Sequence, residues 1–307
     1  MRARRWAGGF KKPETWAAYA FIAPWLVGFI VFTSGPMVAS FVLSLTDYSI
    51  IEKTHWIGGQ NYSDLIHDPK VTKALGNTLI FTVLMVPLHM GVALGLAMIL
   101  LRVPKKAGGF FRTIFYLPKM TPPVAVGILF LVLFNGNYGL TNRALEAVGV
   151  SGPFWTTDPD WVKPGLVIMN VWAVGGTMVI YLAALNSVPR QLYEAASIDG
   201  ASAWRRFKDV TLPMISPALF FTFIILTIAG LQTFTEAYTA FFGAGTQSNQ
   251  SEAALFYAIY LFQQAFTFFH LGYASALAWL LFVVIMIITL IQTRVSRRFV
   301  FYAGERR

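Results

Sequence analysis

Residues Glu194–Pro213 read EAASIDGASAWRRFKDVTLP, a polar stretch set between two long apolar runs. Ser187 can cap a helix with Pro189 in its first turn, where a missing N–H costs nothing. The spacing predicts a helix over Gln191 to Asp199, roughly 15 Å long at 1.5 Å per residue. A helix that short is marginal in water and needs a partner surface. Leu192, Ala195, Ala196 and Ile198 give it a small-sided apolar face. Gly200 lets the chain turn through a positive φ. Trp204, Phe207 and Thr211, at helical spacing, predict a second amphipathic helix, with Pro213 ending it. A plain interfacial covering helix is one reading of this stretch. A knob that docks into a groove on another protein is the other, favoured by Ala195-Ala196 and the glycine hinge.

Outward from this stretch the chain is apolar. Of 307 residues, 56% are hydrophobic and 12% charged. Soluble domains carry about 25% charge, so the expected solvent is a bilayer. Apolar runs fall at about 17–45, 75–101, 113–134, 164–185, 215–242 and 273–292. Each is long enough for a hydrocarbon core of about 30 Å. Pro24 and Gly35-Pro36 predict a kink or break in the first run, and Pro118, Pro122 and Pro123 an irregular first half of the third. The loops between the runs, 46–73, 102–112, 135–163 and 243–270, read as polar connections. The organisation expected is a tail over 1–16, a six-span body over 17–292 holding the loop 187–213, and a tail over 293–307. No repeat or separable soluble domain is visible. The first run is too long for a cleavable signal core and is read as a retained anchor.

Six spans put both termini on one side. The tails and the loops at 102–112 and 190–208 hold eighteen Lys and Arg, against five in the opposite loops. Positive charge marks the cytoplasmic side, so the Glu194 stretch and both termini are expected there. Lys119 lies just inside the third run, with its side chain able to snorkel. The formal charge of +10 is spread between the spans rather than along one face, which argues for topology and not nucleic acid.

Catalytic patterns are missing. There is no cysteine, no Gly-Lys-Ser/Thr phosphate loop, no His-Glu-x-x-His and no Gly-x-Ser-x-Gly, so thiolate chemistry, direct nucleotide binding and the common hydrolase sites are not expected. His89, alone in a span, reads as a hydrogen-bonded packing residue before it reads as a ligand. Asp158 and Asp160 read as a solvated loop. Polar residues inside the spans are the functional pointers. They are Asn170, Trp172 and Thr177 in the fourth, and Gln232, Thr233 and Glu236 in the fifth. Amides and aromatic rings suit a neutral hydroxylated solute. Interhelical contact is the competing role.

Glu194-Ala195-Ala196, then Gly200, then Val210-x-Leu212-Pro213 resembles the signature of the permease subunits of bacterial ABC importers, with Asp199-Gly200 and Phe207 similar to the carbohydrate-uptake branch, the maltose and glycerol-3-phosphate type. Ser44 to Tyr48, Gly58 to Tyr62, Gly76-Asn77-Thr78, Phe111-Arg112-Thr113 with Leu117-Pro118, Phe134-Asn135 with Gly139-Leu140, and Arg297-Arg298 to Gly304-Glu305 extend the resemblance along nearly the whole chain. Gly243-Ala244-Gly245 departs from the Gly-Gly-Pro of many sugar permeases. The resemblance implies an all-α membrane fold, six transmembrane helices of the type I ABC importer permease kind with a cytoplasmic coupling-helix loop. It implies a path built with a second permease subunit, usually as a heterodimer, and an extracytoplasmic solute-binding protein. Two ATP-binding subunits would hold ATP and Mg²⁺, leaving this chain without a cofactor. Glu194, Ala195, Ala196, Asp199, Gly200, Leu212 and Pro213 would couple to the ATPase. The setting implied is the plasma membrane of a bacterium or archaeon, the cargo a sugar or sugar-like solute. A non-sugar cargo (polyamine, phosphate or glycerophosphodiester) and an ion-coupled secondary carrier are the alternatives. One Glu and no inverted repeat weigh against the carrier.

Overall fold

A computed structural model describes residues 13–51, 53–242, 252–297 and 300–301. The basic N-terminal tail, Gly243-Ala244-Gly245 and most of the C-terminal tail lie outside the described residues. All regular elements among the described residues are helical, with two isolated β-bridges. Four helical runs are long and apolar enough to cross a membrane: Trp16–Leu43, Pro69–Arg102, Ala203–Phe241 and Leu271–Ser296. Two bent helix pairs bring the crossings to six when each pair is one span. The chain divides into two compact units.

The first unit holds the chain up to His67 together with Gln263–Leu280. Helices α1 (Pro13–Phe29) and α2 (Gly35–Leu43) are joined by a π-helical turn, Ile30–Ser34. The break expected at Gly35-Pro36 does not occur. The Gly35 N–H reaches back to the Ile30 carbonyl, and the wider turn seats Pro36 at the start of α2, where its missing N–H goes unneeded. The polar connection after α2 is also more ordered than expected. It contains α3 (Gln60–His67), and buried Asn61 donates to the Ser44 and Thr46 carbonyls, both at 2.8 Å. Tyr62 Oη meets Ser44 Oγ at 2.7 Å. The His55 main-chain N–H donates to Asp47 and holds its carboxyl below the ordinary 3.8. That contact is complete above the carboxylate range and weakens as pH falls through the lowered value.

The second unit is built on α4 (Pro69–Arg102), which the Asp68 carboxylate caps by accepting from Lys70 N at 2.8 Å. Its 34 residues run about 51 Å, so it starts well before the apolar run predicted from position 75. A buried stripe, Ala74, Phe81, Met85, His89, Ala93, Ala97 and Leu100, follows helical spacing along one face. Ala93 and Ala97 let the later helix Gly175–Asn186 approach closely. The third apolar run divides into α5 (Lys105–Met120) and α6 (Pro123–Leu133), bent by 95°. Pro122 and Pro123 account for the bend, since neither can donate to the preceding turn. Helix α5 also takes in most of the expected basic loop.

The connection 135–163 is folded rather than merely solvated. It carries α7 (Leu140–Glu146) and is pinned by Asn142, which donates to the Gly136 and Pro153 carbonyls and accepts from Trp155 Nε1 at 2.8 Å. Asp158 accepts from Asp160 N at 2.9 Å, a turn-forming role. The fourth span is α8 (Val162–Trp172) and α9 (Gly175–Asn186), bent by 52°. After α10 (Arg190–Ile198) and α11 (Ala203–Arg206), the π-helical turn Phe207–Thr211 leads into α12 (Leu212–Leu231). Helix α13 (Thr235–Phe241) comes next. The expected polar loop before His270 contains α14 (Tyr257–Phe262), tied to α4 where Asn77 donates to the Glu252 and Leu255 carbonyls and Tyr257 N donates to Thr78 Oγ1. Helix α15 (Leu271–Ser296) is the last crossing.

Candidate functional site

Two places carry the residues singled out in the sequence: the exposed loop after α9, and the breaks in the fourth and fifth spans.

In the loop, α10 occupies Arg190–Ile198, one residue from its predicted start and end, and Pro189 rather than Ser187 is its N-cap. The Ser187 hydroxyl instead donates to the Ala184 carbonyl at the end of α9. No side chain of α10 is buried. Ile198 is 87% exposed, and Glu194, Ala195, Asp199 and Gly200 are open to solvent. Leu192, Ala195 and Ile198 of this nine-residue helix are left exposed by the described residues. The helix ends in a Schellman arrangement: Ala201 N donates to the Ala196 carbonyl, Gly200 N to that of Ser197, and Gly200 takes φ +73°. Glycine is favoured there because a Cβ is strained at positive φ. Two bonds tie α10 to the helical stretch after it, Tyr193 Oη with Thr211 Oγ1 at 3.0 Å and Arg206 Nη1 to Ser197 Oγ at 2.9 Å.

Pro213 does not end the second amphipathic helix, as the sequence suggested. Leu212 N bonds to the Phe207 carbonyl, one residue further back than in an α-helix, and Pro213 sits in the first turn of α12. The wider turn absorbs the proline. Residues Ala203–Leu231 thus follow one another without a gap in the helix, and Leu212-Pro213 joins the loop to the fifth span without a flexible connection. Trp204 and Phe207 pair with ring centroids 5.6 Å apart.

In the fourth span, Asn170, Trp172 and Thr177 gather at the α8–α9 break. No proline lies there. Gly175 makes room for α5, because a Cβ on it would come within 2.6 Å of Tyr116 Cα and would collide with the Phe115 carbonyl oxygen. Asn170 Nδ2 donates to the Leu166 carbonyl in its own helix, at 3.3 Å. Trp172 packs edge-on against Phe130, centroids 5.7 Å apart. Thr177 Oγ1 lies 3.1 Å from His89 Nε2. His89 is thus the hydrogen-bonded packing residue the sequence suggested, and it sits at the break itself. It is 7% exposed, and its Nδ1 has no partner of good hydrogen-bond geometry.

Lys119 is the residue that sequence reasoning misplaced. Its side chain is exposed, and its Cγ lies 3.8 Å from where a Cβ on Gly176 would stand, beside the middle of the fourth span. The signal was a cation between Pro118 and Pro122, which marks a bend rather than a span end.

Gln232, Thr233 and Glu236 occupy the second break, between α12 and α13. Thr233 is buried and donates to the Ala229 carbonyl at 3.3 Å. Gln232 is exposed and Glu236 half-buried. Phe234, Tyr238 and Phe262 surround this break with every centroid pair 5.1 Å apart. No hydrogen bond joins this group to the Asn170 group among the described residues.

Residues 66–301 match the family described as "Binding-protein-dependent transport system inner membrane component". The chain is 39% identical over 297 residues to the probable ABC transporter permease protein YesP of Bacillus subtilis (strain 168), covering 96% of this chain and 94% of that one. It is 36% identical over 284 residues to the lactose transport system permease protein LacF of Rhizobium radiobacter, covering 91% and 93%. Among solved structures, a bacterial alginate ABC transporter in complex with an alginate pentasaccharide-bound periplasmic protein contains a similar chain. The TM-score is 0.80 at 25% identity, covering 93% of this chain and 95% of that one.

Proposed function

The chain belongs to the binding-protein-dependent transport system inner membrane component family, and on that premise we propose that it is the membrane permease subunit of an ATP-driven importer that carries a sugar into the cytoplasm. The observation that carries the coupling role is α10, a helix with no buried side chain, closed by Gly200 and followed by a helix that runs unbroken into the fifth span. A partner that grips α10 moves a span directly. That partner is an ATPase subunit holding ATP and Mg²⁺, contacted through Glu194, Ala195, Ala196, Asp199 and Gly200, with Leu212 and Pro213 passing the motion on. Two ATPase subunits, a second permease subunit and an outer solute-binding protein complete the assembly. The eighteen-to-five division of basic residues supports a cytoplasmic loop and cytoplasmic termini.

Relatives named for lactose and alginate support a sugar cargo. Asn170, Trp172, Thr177, Gln232, Thr233 and Glu236 then supply the amides, hydroxyls and ring faces that a sugar needs, at breaks in the helices of the kind that line transport sites. Closure of the ATPase pair on ATP draws the coupling helices together and rocks the spans from inward- to outward-facing. The test is ATP-driven uptake by the complete importer in proteoliposomes, with Glu194→Arg as the variant. Stimulated ATP hydrolysis without sugar uptake is expected of E194R. Full uptake would refute the role of α10.

A further inference from the structure

Lys119 and the first turn of α9 form a positively polarised point halfway across the membrane, and we infer that the sugar carried bears an anionic group, a carboxylate or sulfonate, which pairs with Lys119 in transit. This rests on the sugar-import reading above. Depth is the first part of the argument. The fourth span runs from Val162 to Asn186, and the Gly175-Gly176 pair is close to its middle. The Cγ of Lys119, whose side chain is exposed in this chain alone, lies beside Gly176, about 15 Å from either surface of a hydrocarbon core about 30 Å thick. A lysine side chain is too short to snorkel that far.

The second part is charge. Helices α4, α5, α6, α8, α9, α12 and α15 contain no Asp or Glu, Glu236 stands in α13, and no described acid lies within ion-pair distance of Lys119. An intramembrane ammonium with no described acid within ion-pair distance marks a ligand path. The third part is the turn that Lys119 touches. A helix N-terminus carries partial positive charge, and Gly175-Gly176 leaves it without side-chain cover. His89, more than nine-tenths buried at the same turn, commits Nε2 to Thr177 and leaves Nδ1 without a well-aligned partner. Half-helix N-termini at mid-membrane breaks receive anionic groups of substrates in transport proteins. Here an ammonium is added to that arrangement.

The test uses the complete importer in proteoliposomes with saturating loaded binding protein. The probes are labelled uronic-acid disaccharides, their carboxyl-reduced neutral forms, and a sulfonated hexose. Uptake of an acidic probe is expected, with Lys119→Met lowering it about tenfold or more and Lys119→Arg restoring it. Copurification of all subunits with K119M should be unchanged. Uptake of neutral probes alone, or equal uptake of an acidic probe by K119M and the parent, overturns the inference while leaving sugar import standing. Loss of subunit copurification in K119M overturns it too, by making the lysine an ion-pair partner of another subunit. Uptake of no sugar of either class contradicts both readings.

Discussion

Gly200 offers the sharpest perturbation of coupling, because its effect separates from packing. It holds φ +73°, and a Cβ added there meets no atom within 4 Å. Gly200→Ala therefore adds backbone strain and nothing else, about 1–2 kcal/mol for an L-residue in the left-handed region. Helix α10 has no buried side chain to resist that strain. The docking-competent loop should lose a factor of about 5–30 in population. Gly200→Asn tolerates this conformation and should stay near the parent, whereas the β-branched Gly200→Val should exceed the alanine loss. The assay is sugar uptake per ATP hydrolysed by the complete importer, with thermal melting in detergent as control. Melting should be unchanged, since Gly200 lies outside the spans. Equal coupling in the alanine and valine variants would refute the reasoning, as would a loss of melting temperature that tracked the loss of coupling.

Gly175→Val should drive a side chain into the main chain of α5 and cost about 1–3 kcal/mol, read as a lower melting temperature. Gly176→Ala, with Lys119 Cγ at 3.8 Å as its nearest neighbour, should melt like the parent. Asn61→Ala removes the donor to two carbonyls and should destabilise the first unit by about 1–3 kcal/mol, measured by hydrogen exchange at Tyr48 and Ile57. The absence of cysteine allows topology to be read from single replacements. Lys106→Cys and Ser202→Cys should react with an impermeant maleimide from the cytoplasmic side, Ser63→Cys and Asp158→Cys from the outer side.

The apolar runs and the coupling stretch were legible in the sequence because both rest on local chemistry. Run length reports the bilayer, and a glycine after a short amphipathic helix reports a left-handed turn. Helices α3, α7 and α14 were not legible. They are short and depend on side-chain bonds outside their own turns, with Asn61 and Asn77 reaching distant carbonyls and Asn142 those of Gly136 and Pro153 in the same connection. Asn61 and Asn77 lie in short stretches whose family resemblance was already visible, so that resemblance reflects structure at those points. Prolines misled in three places, Pro24 lying inside α1 without a break. At Pro36 and Pro213 a π-helical turn upstream supplies the room that a break would have given. The converse error fell at Ala173-Val174, where a span bends with no proline at all and α5 crosses closely at Gly175. A cation at mid-depth could not be read without knowing that crossing.

The central claim, that this chain works as the permease of an ATP-driven sugar importer, is tested most directly by following labelled sugar into proteoliposomes. The complete importer should accumulate it only with internal ATP and external binding protein, and should do so unchanged when ionophores collapse the proton and sodium gradients. Uptake by this chain alone, lost on adding those ionophores, would contradict the account.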